Sequence, residues 1–150
     1  MILSEHIGTH VDAPAHYIAG GKNWIDELPP ESFMGPCCTI DAQKIGPKGL
    51  LEEGHVKGWE LEHGQITAWD IILVNFGWYK RWGIGTAGLG YLRDWPGIFE
   101  SASTYLADLK VKLVGVDVVS TDAYNDFSNS SDYPPSKSSL ERNMSGGRID

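Results

Sequence analysis

The chain has 150 residues, 41% of them hydrophobic and 21% charged, with a formal net charge of -8. That length suits one domain with a sizeable core, and the composition excludes a disordered polymer. The acidic balance argues against nucleic acid or an anionic membrane as partner, and no run approaches the roughly 18 apolar residues of a membrane span. The first residues lack a basic-then-apolar leader pattern, so a cytoplasmic location is expected.

The first informative run is His6-Ile7-Gly8-Thr9-His10-Val11-Asp12-Ala13-Pro14-Ala15-His16. His6, His10, Asp12 and His16 all sit at even positions, so an extended backbone puts them on one face. Ile7, Thr9, Val11, Ala13 and Ala15 then occupy the other. A helix would also align His6 with His10, but Gly8 and Pro14 weaken it and Asp12 leaves that face. A straight strand would hold His6 and Asp12 about 20 Å apart, too far for one ion. The run therefore reads as a strand that turns into a loop, bending at Gly8 and Pro14 so that imidazoles and carboxylate converge. Neutral imidazole nitrogen and carboxylate oxygen suit a divalent ion such as zinc or manganese. Three such ligands leave a position for water, whose pKa falls towards about 7. A fourth group, His16, suits proton transfer. The alternative is a set of surface or capping histidines, which fits four polar groups in phase less well.

Further along, Cys37 to Ala42 reads as a buried strand. Cys37 and Cys38 are neighbours, a poor disulfide pair, and are expected to be structural. A helix is expected from about His55 to His63, carrying Trp59. His55 and His63 lie two turns apart with Glu60 and Glu62 nearby, which reads as a solvated helix face rather than a second metal site. Ile71 to Phe76 reads as a strand, and its continuous apolar start, Ile71 to Val74, predicts cover on both faces. Trp78, Tyr79 and Trp82 with Lys80 and Arg81 form an aromatic-basic cluster. It is either a pocket wall for an aromatic or apolar substrate or plain core packing, the acidic balance opposing nucleic-acid stacking. Gly83 to Gly90 is expected to be a mobile loop, not a phosphate cradle, because no Lys-Ser/Thr follows.

Pro96-Gly97 reads as a turn before a helix over about Ile98 to Leu109, with Ile98, Ala102, Tyr105, Leu106 and Leu109 on one stripe. Lys112 to Val118 reads as the last strand. Asp117 follows its apolar run, where site residues of α/β folds emerge. From Phe127 the chain is rich in Ser, Asn, Pro and Gly, so about 128–150 is expected to be poorly ordered. The alternation of strands and helices gives an α/β fold, with 1–150 as a single domain.

The run from Ser4 to His16 matches H-x-G-T-H-x-D-x-P-x-H at every fixed position and resembles the signature of the metal-dependent "cyclase" hydrolase family, that of bacterial kynurenine formamidase and isatin hydrolase. Leu28 to Pro36, Trp69 to Trp78, Trp95-Pro96-Gly97, Val114 to Asp117 and Ser120 to Asp122 resemble further segments of the same family. The resemblance covers roughly residues 4 to 137.

It implies a cyclase-type, swivelling β/β/α-like domain with a mixed sheet and packed helices. It also implies a metal-dependent hydrolase of a small amide or lactam, arylformamidase-like, as in tryptophan catabolism. His6, His10 and Asp12 would hold one or two divalent ions, zinc or manganese, with Asp12 able to bridge. Metal-bound hydroxide would attack the carbonyl, and His16, as acid/base, would carry the proton to the leaving nitrogen. On the pocket-wall reading of the aromatic-basic cluster, Trp78 and Tyr79 would contact substrate. Relatives are commonly oligomeric, so a homo-oligomer is expected. Only Met1 to Glu5 precede the signature, and Ser136 stands where the family has a histidine, with Glu141 close behind it. The match thus implies a chain cut short at both ends. The alternative function is a catalytically impaired binding or scaffold protein.

Overall fold

A computed structural model describes residues 8–17 and 23–124. His6, Ser136, Glu141 and the stretch about 128–150 lie outside the described residues. In chain order the elements are α1 (Pro14–Tyr17), β1 (Cys37–Asp41), β2 (Leu50–Leu51), α2 (Glu53–His63), β3 (Ile71–Asn75), β4 (Gly97–Ile98), α3 (Glu100–Asp108) and β5 (Leu113–Val116). Short 3-10 segments cover Pro30–Phe33, Trp78–Arg81 and Gly85–Gly90.

β1, β3 and β5 form a sheet in the order β1-β3-β5. Both pairings are parallel, and β2 and β4 form a second parallel pair. The α/β class expected from the sequence is therefore the class found; the mixed sheet is not seen among the described residues, where every strand pairing is parallel and each crossover carries a helix. Parallel neighbours need a crossover, and α2 and α3 supply the two. The helices lie side by side, tied by Glu53 N–H to Ser101 Oγ at 3.2 Å and by Tyr105 O–H to Glu60 at 2.7 Å.

Register sets the core. Cys38, Ile72 and Val114 are level across the sheet, as are Ile40, Val74 and Val116. These rows join Val56 of α2 and Ala102 and Leu106 of α3 in one hydrophobic core. α2 starts where Glu52 and His55 make a reciprocal capping box, and it ends at Gly64, whose φ is 102°. At the start of β3, the Asp70 carboxylate accepts both the N–H and the hydroxyl of Thr67, which fixes the turn into the strand.

Several expectations change, among them Ile98, which lies in β4 ahead of α3 rather than on the helix stripe. Residues 8–13 are not a strand: Gly8 has φ 66°, which breaks the extended run, and Pro14 opens the single turn of α1. Gly83 to Gly90 is not a bare loop, because Gly85–Gly90 winds into a 3-10 segment. Gly97 is not only a turn residue. It pairs with Leu50, and the Ala123 backbone lies so close that a side chain at Gly97 would not fit. Cover on both faces of β3 is also not seen among the described residues. Ile72 and Val74 face the helices, whereas Leu73 is 41% exposed on the opposite face. Cys37 shares that open side and is exposed, so β1 is half-buried rather than buried.

Candidate functional site

The signature segment positions its polar groups by turns. Gly8 in the left-handed region directs its carbonyl at the next histidine, and His10 Nδ1 lies 2.8 Å from Gly8 O. A carbonyl can only accept, so Nδ1 carries the hydrogen and the neutral ring keeps its lone pair on Nε2. Nε2 lies 3.6 Å from Asp12 Oδ2. Two acceptor atoms thus approach each other, an arrangement that a cation or a shared proton relieves. Metal-ligating histidines commonly donate their second ring nitrogen to a carbonyl in this way.

Both side chains are partly exposed, at 29% and 30%. Ala13 and Ala15 of the same segment are buried, so the alternation read from the sequence survives in part. His16 lies on α1, with its N–H bonded to Ala13 O at 2.9 Å. The structure therefore brings His10 and Asp12 together and sets His16 one helical turn on. Among the described residues no three His, Cys, Asp or Glu side chains form a metal-binding group. The third expected ligand, His6, lies outside them.

His55 and His63 have other work. His55 Nδ1 accepts the Glu52 N–H at 3.0 Å in the capping box. His63 stacks on Trp59 with centroids 4.7 Å apart, and its Nδ1 lies 3.0 Å from Trp59 O. His55, His63 and Glu62 are exposed, whereas Glu60 turns inward to accept the Ile66 N–H at 2.9 Å and the Tyr105 hydroxyl at 2.7 Å.

A second set of polar groups gathers at the carboxyl end of the sheet, where parallel α/β sheets bind ligands. Asp117 stands just past β5, and its carboxylate accepts three backbone N–H groups. They come from Phe76 at 2.8 Å, Trp78 at 2.7 Å and Tyr79 at 3.2 Å. Asp117 therefore clamps the segment after β3 rather than reaching outward for chemistry. Trp78 is buried, and its indole N–H bonds Tyr91 O at 3.0 Å. Tyr91, whose hydroxyl lies 3.4 Å from Asp117 O, has its phenol pushed up by burial and then by the Asp117 charge. Tyr79 is 57% exposed and Trp82 68% exposed. Trp78 is thus a core residue, and Tyr79 is the member of the pair that presents its ring to solvent. Between the ends of β1 and β3 lies an open cleft of about 200 Å³, lined by Gln43, Trp78, Lys80 and Arg81 among others. Sequence reasoning missed Gln43, because its role depends on contact with Lys80, 37 positions away.

Comparison with known proteins adds the family. The model of the Cyclase family matches residues 1–123. The chain belongs to the Cyclase family. Among its curated relatives, the isatin hydrolase of Roseibium aggregatum is 35% identical over 132 residues, covering 82% of this chain and 50% of that protein. The kynurenine formamidase of Delftia acidovorans is 34% identical over 120 residues, covering 80% of this chain and 50% of that protein. Isatin hydrolase A from Ralstonia solanacearum superposes with a TM-score of 0.76 at 30% identity, covering 94% of this chain and 56% of the other. This Cyclase-family chain spans about half the length of the curated relatives it matches.

Proposed function

We propose that this Cyclase-family chain serves a metal-dependent hydrolase of a small amide or lactam. The observation that carries the reading is the His10–Asp12 pair, with Nε2 at 3.6 Å from Oδ2 and Nδ1 oriented by Gly8 O. The donor set of imidazole nitrogen and carboxylate oxygen fits zinc or manganese. His10 and Asp12 would hold one or two such ions, with His6 as the third ligand. When bound, the ion supplies Lewis acidity and brings the pKa of a water close to neutrality.

The chain's own residues do the rest. Gly8 fixes the tautomer and angle of the His10 ring. Asp12 would supply an anionic oxygen beside Nε2, a mixed nitrogen and oxygen donor pair for the ion. His16, one turn on, takes a proton and returns it to the leaving nitrogen. Tyr79, with Trp78 anchoring its backbone, offers a ring edge to a small carbonyl substrate. The curated relatives, an isatin hydrolase and a kynurenine formamidase, support this substrate class. The chain is further proposed to work as a homo-oligomer in the cytoplasm. The open sheet face at Leu73 and the free thiols Cys37 and Cys38 support this.

The test is hydrolysis of an N-formyl-aryl amide and of isatin by the protein and by His16→Ala. Loss of a proton-transfer group costs about 10²–10⁴ in rate. Turnover that falls by that amount in His16→Ala supports the reading. A protein that holds zinc or manganese yet leaves a panel of amides and lactams intact would favour a binding or scaffold role instead.

A further inference from the structure

We propose that the cleft at the carboxyl ends of β1 and β3 binds the oxyanion group of a small molecule, a carboxylate or a phosphate, through Lys80 and Arg81. The proposal is independent of the hydrolase reading, because it uses none of the signature residues.

Charge comes first. The chain is acidic overall at -8, yet Lys80 and Arg81 line this cleft, with Lys44 close by and the carboxylates of Asp41 and Asp117 at its edges. Asp41 offsets them only in part. Its carboxylate accepts the Gln43 N–H at 3.1 Å, and that hydrogen bonding, ahead of Lys44 and Lys80, holds its carboxyl below the ordinary range. Among the described residues neither Lys80 nor Arg81 forms an ion pair. Lys80 Nζ donates to the neutral Gln43 Oε1 at 2.6 Å, and Arg81 lies flat on the Trp78 ring at 3.9 Å.

Both cations are also held in place. Trp78, on which Arg81 stacks, is buried and pinned through its indole to Tyr91 O. The backbone of Phe76, Trp78 and Tyr79 is clamped by Asp117. Gly77, with φ 69°, brings its backbone so close to Gln43 that an added Cβ would meet that side chain at 3.0 Å. A guanidinium stacked on a ring keeps its N–H edge available for a planar or tetrahedral oxyanion. Gln43 bridges the charges, its Oε1 taking Lys80 and its side-chain amide bonding the Asp41 carboxylate, so the cations are what the cleft offers an anion. The volume of about 200 Å³ takes a small anionic group rather than a whole large ligand. An apolar ring suits the cleft less well, since Arg81 already occupies the Trp78 face.

Titration by two-dimensional amide NMR at constant ionic strength tests the proposal, with inorganic phosphate and with benzoate as probes and chloride as the balance. The expected result is saturable shifts confined to Gln43 and the residues from Gly77 to Arg81. Affinity should fall by about tenfold or more in the double variant Lys80→Gln, Arg81→Gln, whose dispersed spectrum reports that it is folded. Tighter binding of phosphate would identify a phosphate-bearing ligand, and tighter binding of benzoate a carboxylate. Shifts that grow linearly and spread over the surface, or that persist unchanged in the double variant, would overturn it.

Discussion

Replacing Asp117 with alanine isolates the clamp on which the carboxyl end of the sheet depends. The carboxylate accepts N–H groups from Phe76, Trp78 and Tyr79. Phe76 and Trp78 are only 4% and 3% exposed, so their N–H groups lose a charged acceptor in a largely buried setting when the carboxylate goes. Each orphaned buried donor costs about 1–3 kcal/mol. Tyr79 is exposed and its N–H finds water, which adds little. Asp117→Ala should therefore cost about 2–6 kcal/mol, a large share of the roughly 5–15 kcal/mol that stabilises a domain. Asp117→Asn keeps one acceptor oxygen but turns an amide N–H₂ against the remaining donors, so it should fall between the two proteins. Urea unfolding followed by tryptophan fluorescence reads this as a fall in midpoint of about 1–3 M for the alanine variant. A loss below about 0.5 kcal/mol would refute the clamp, because it would mean that the amides find other partners.

Other outcomes follow from the same coordinates. Tyr105 donates to Glu60 at 2.7 Å, and this bond, then burial, pushes its phenol up from 10 to about 12. A raised folded pKa contributes stability that is whole below 10 and lost as pH rises towards 12. Ultraviolet titration should show Tyr105 ionising last. Tyr105→Phe should remove that alkaline loss of stability, and a phenolate forming near its ordinary pKa would contradict the pairing. Cys37 is exposed, whereas the thiol of Cys38 is pushed up by burial, then by Asp70 and by Cys37 itself. A disulfide reagent at about pH 8 should therefore modify one thiol quickly and one slowly, with the fast phase gone in Cys37→Ser. Two equal rates would count against this placement.

Much of the fold was legible because parallel strands announce themselves. Ile71 to Val74 and Leu113 to Val116 are short apolar runs without helical period, and α3 carries a clear stripe ending at Leu109. The strand Cys37–Asp41 was placed within a residue, yet its burial was misjudged, since a run of β-formers does not say how many faces are covered. The leading segment misled for a local reason. Its alternation of polar and apolar residues is genuine, but Gly8 in the left-handed region and Pro14 at the head of α1 replace the strand with turns. His10 and Asp12 still meet, because a turn brings i and i+2 neighbours together as readily as a bent strand. What the sequence could not disclose were the partners far apart in the chain. Asp117 reaches back 39 positions to Trp78, and Lys80 reaches back 37 to Gln43. Neither pairing leaves a trace in spacing or composition, and both arise only when the ends of β1, β3 and β5 come level.

Metal content of the monodisperse protein, measured by plasma mass spectrometry beside His10→Ala, tests the central claim most directly. The account predicts about one or more equivalents of zinc or manganese in the parent chain and loss of that metal in the variant. Absence of metal after reloading, or equal metal in His10→Ala, would contradict it.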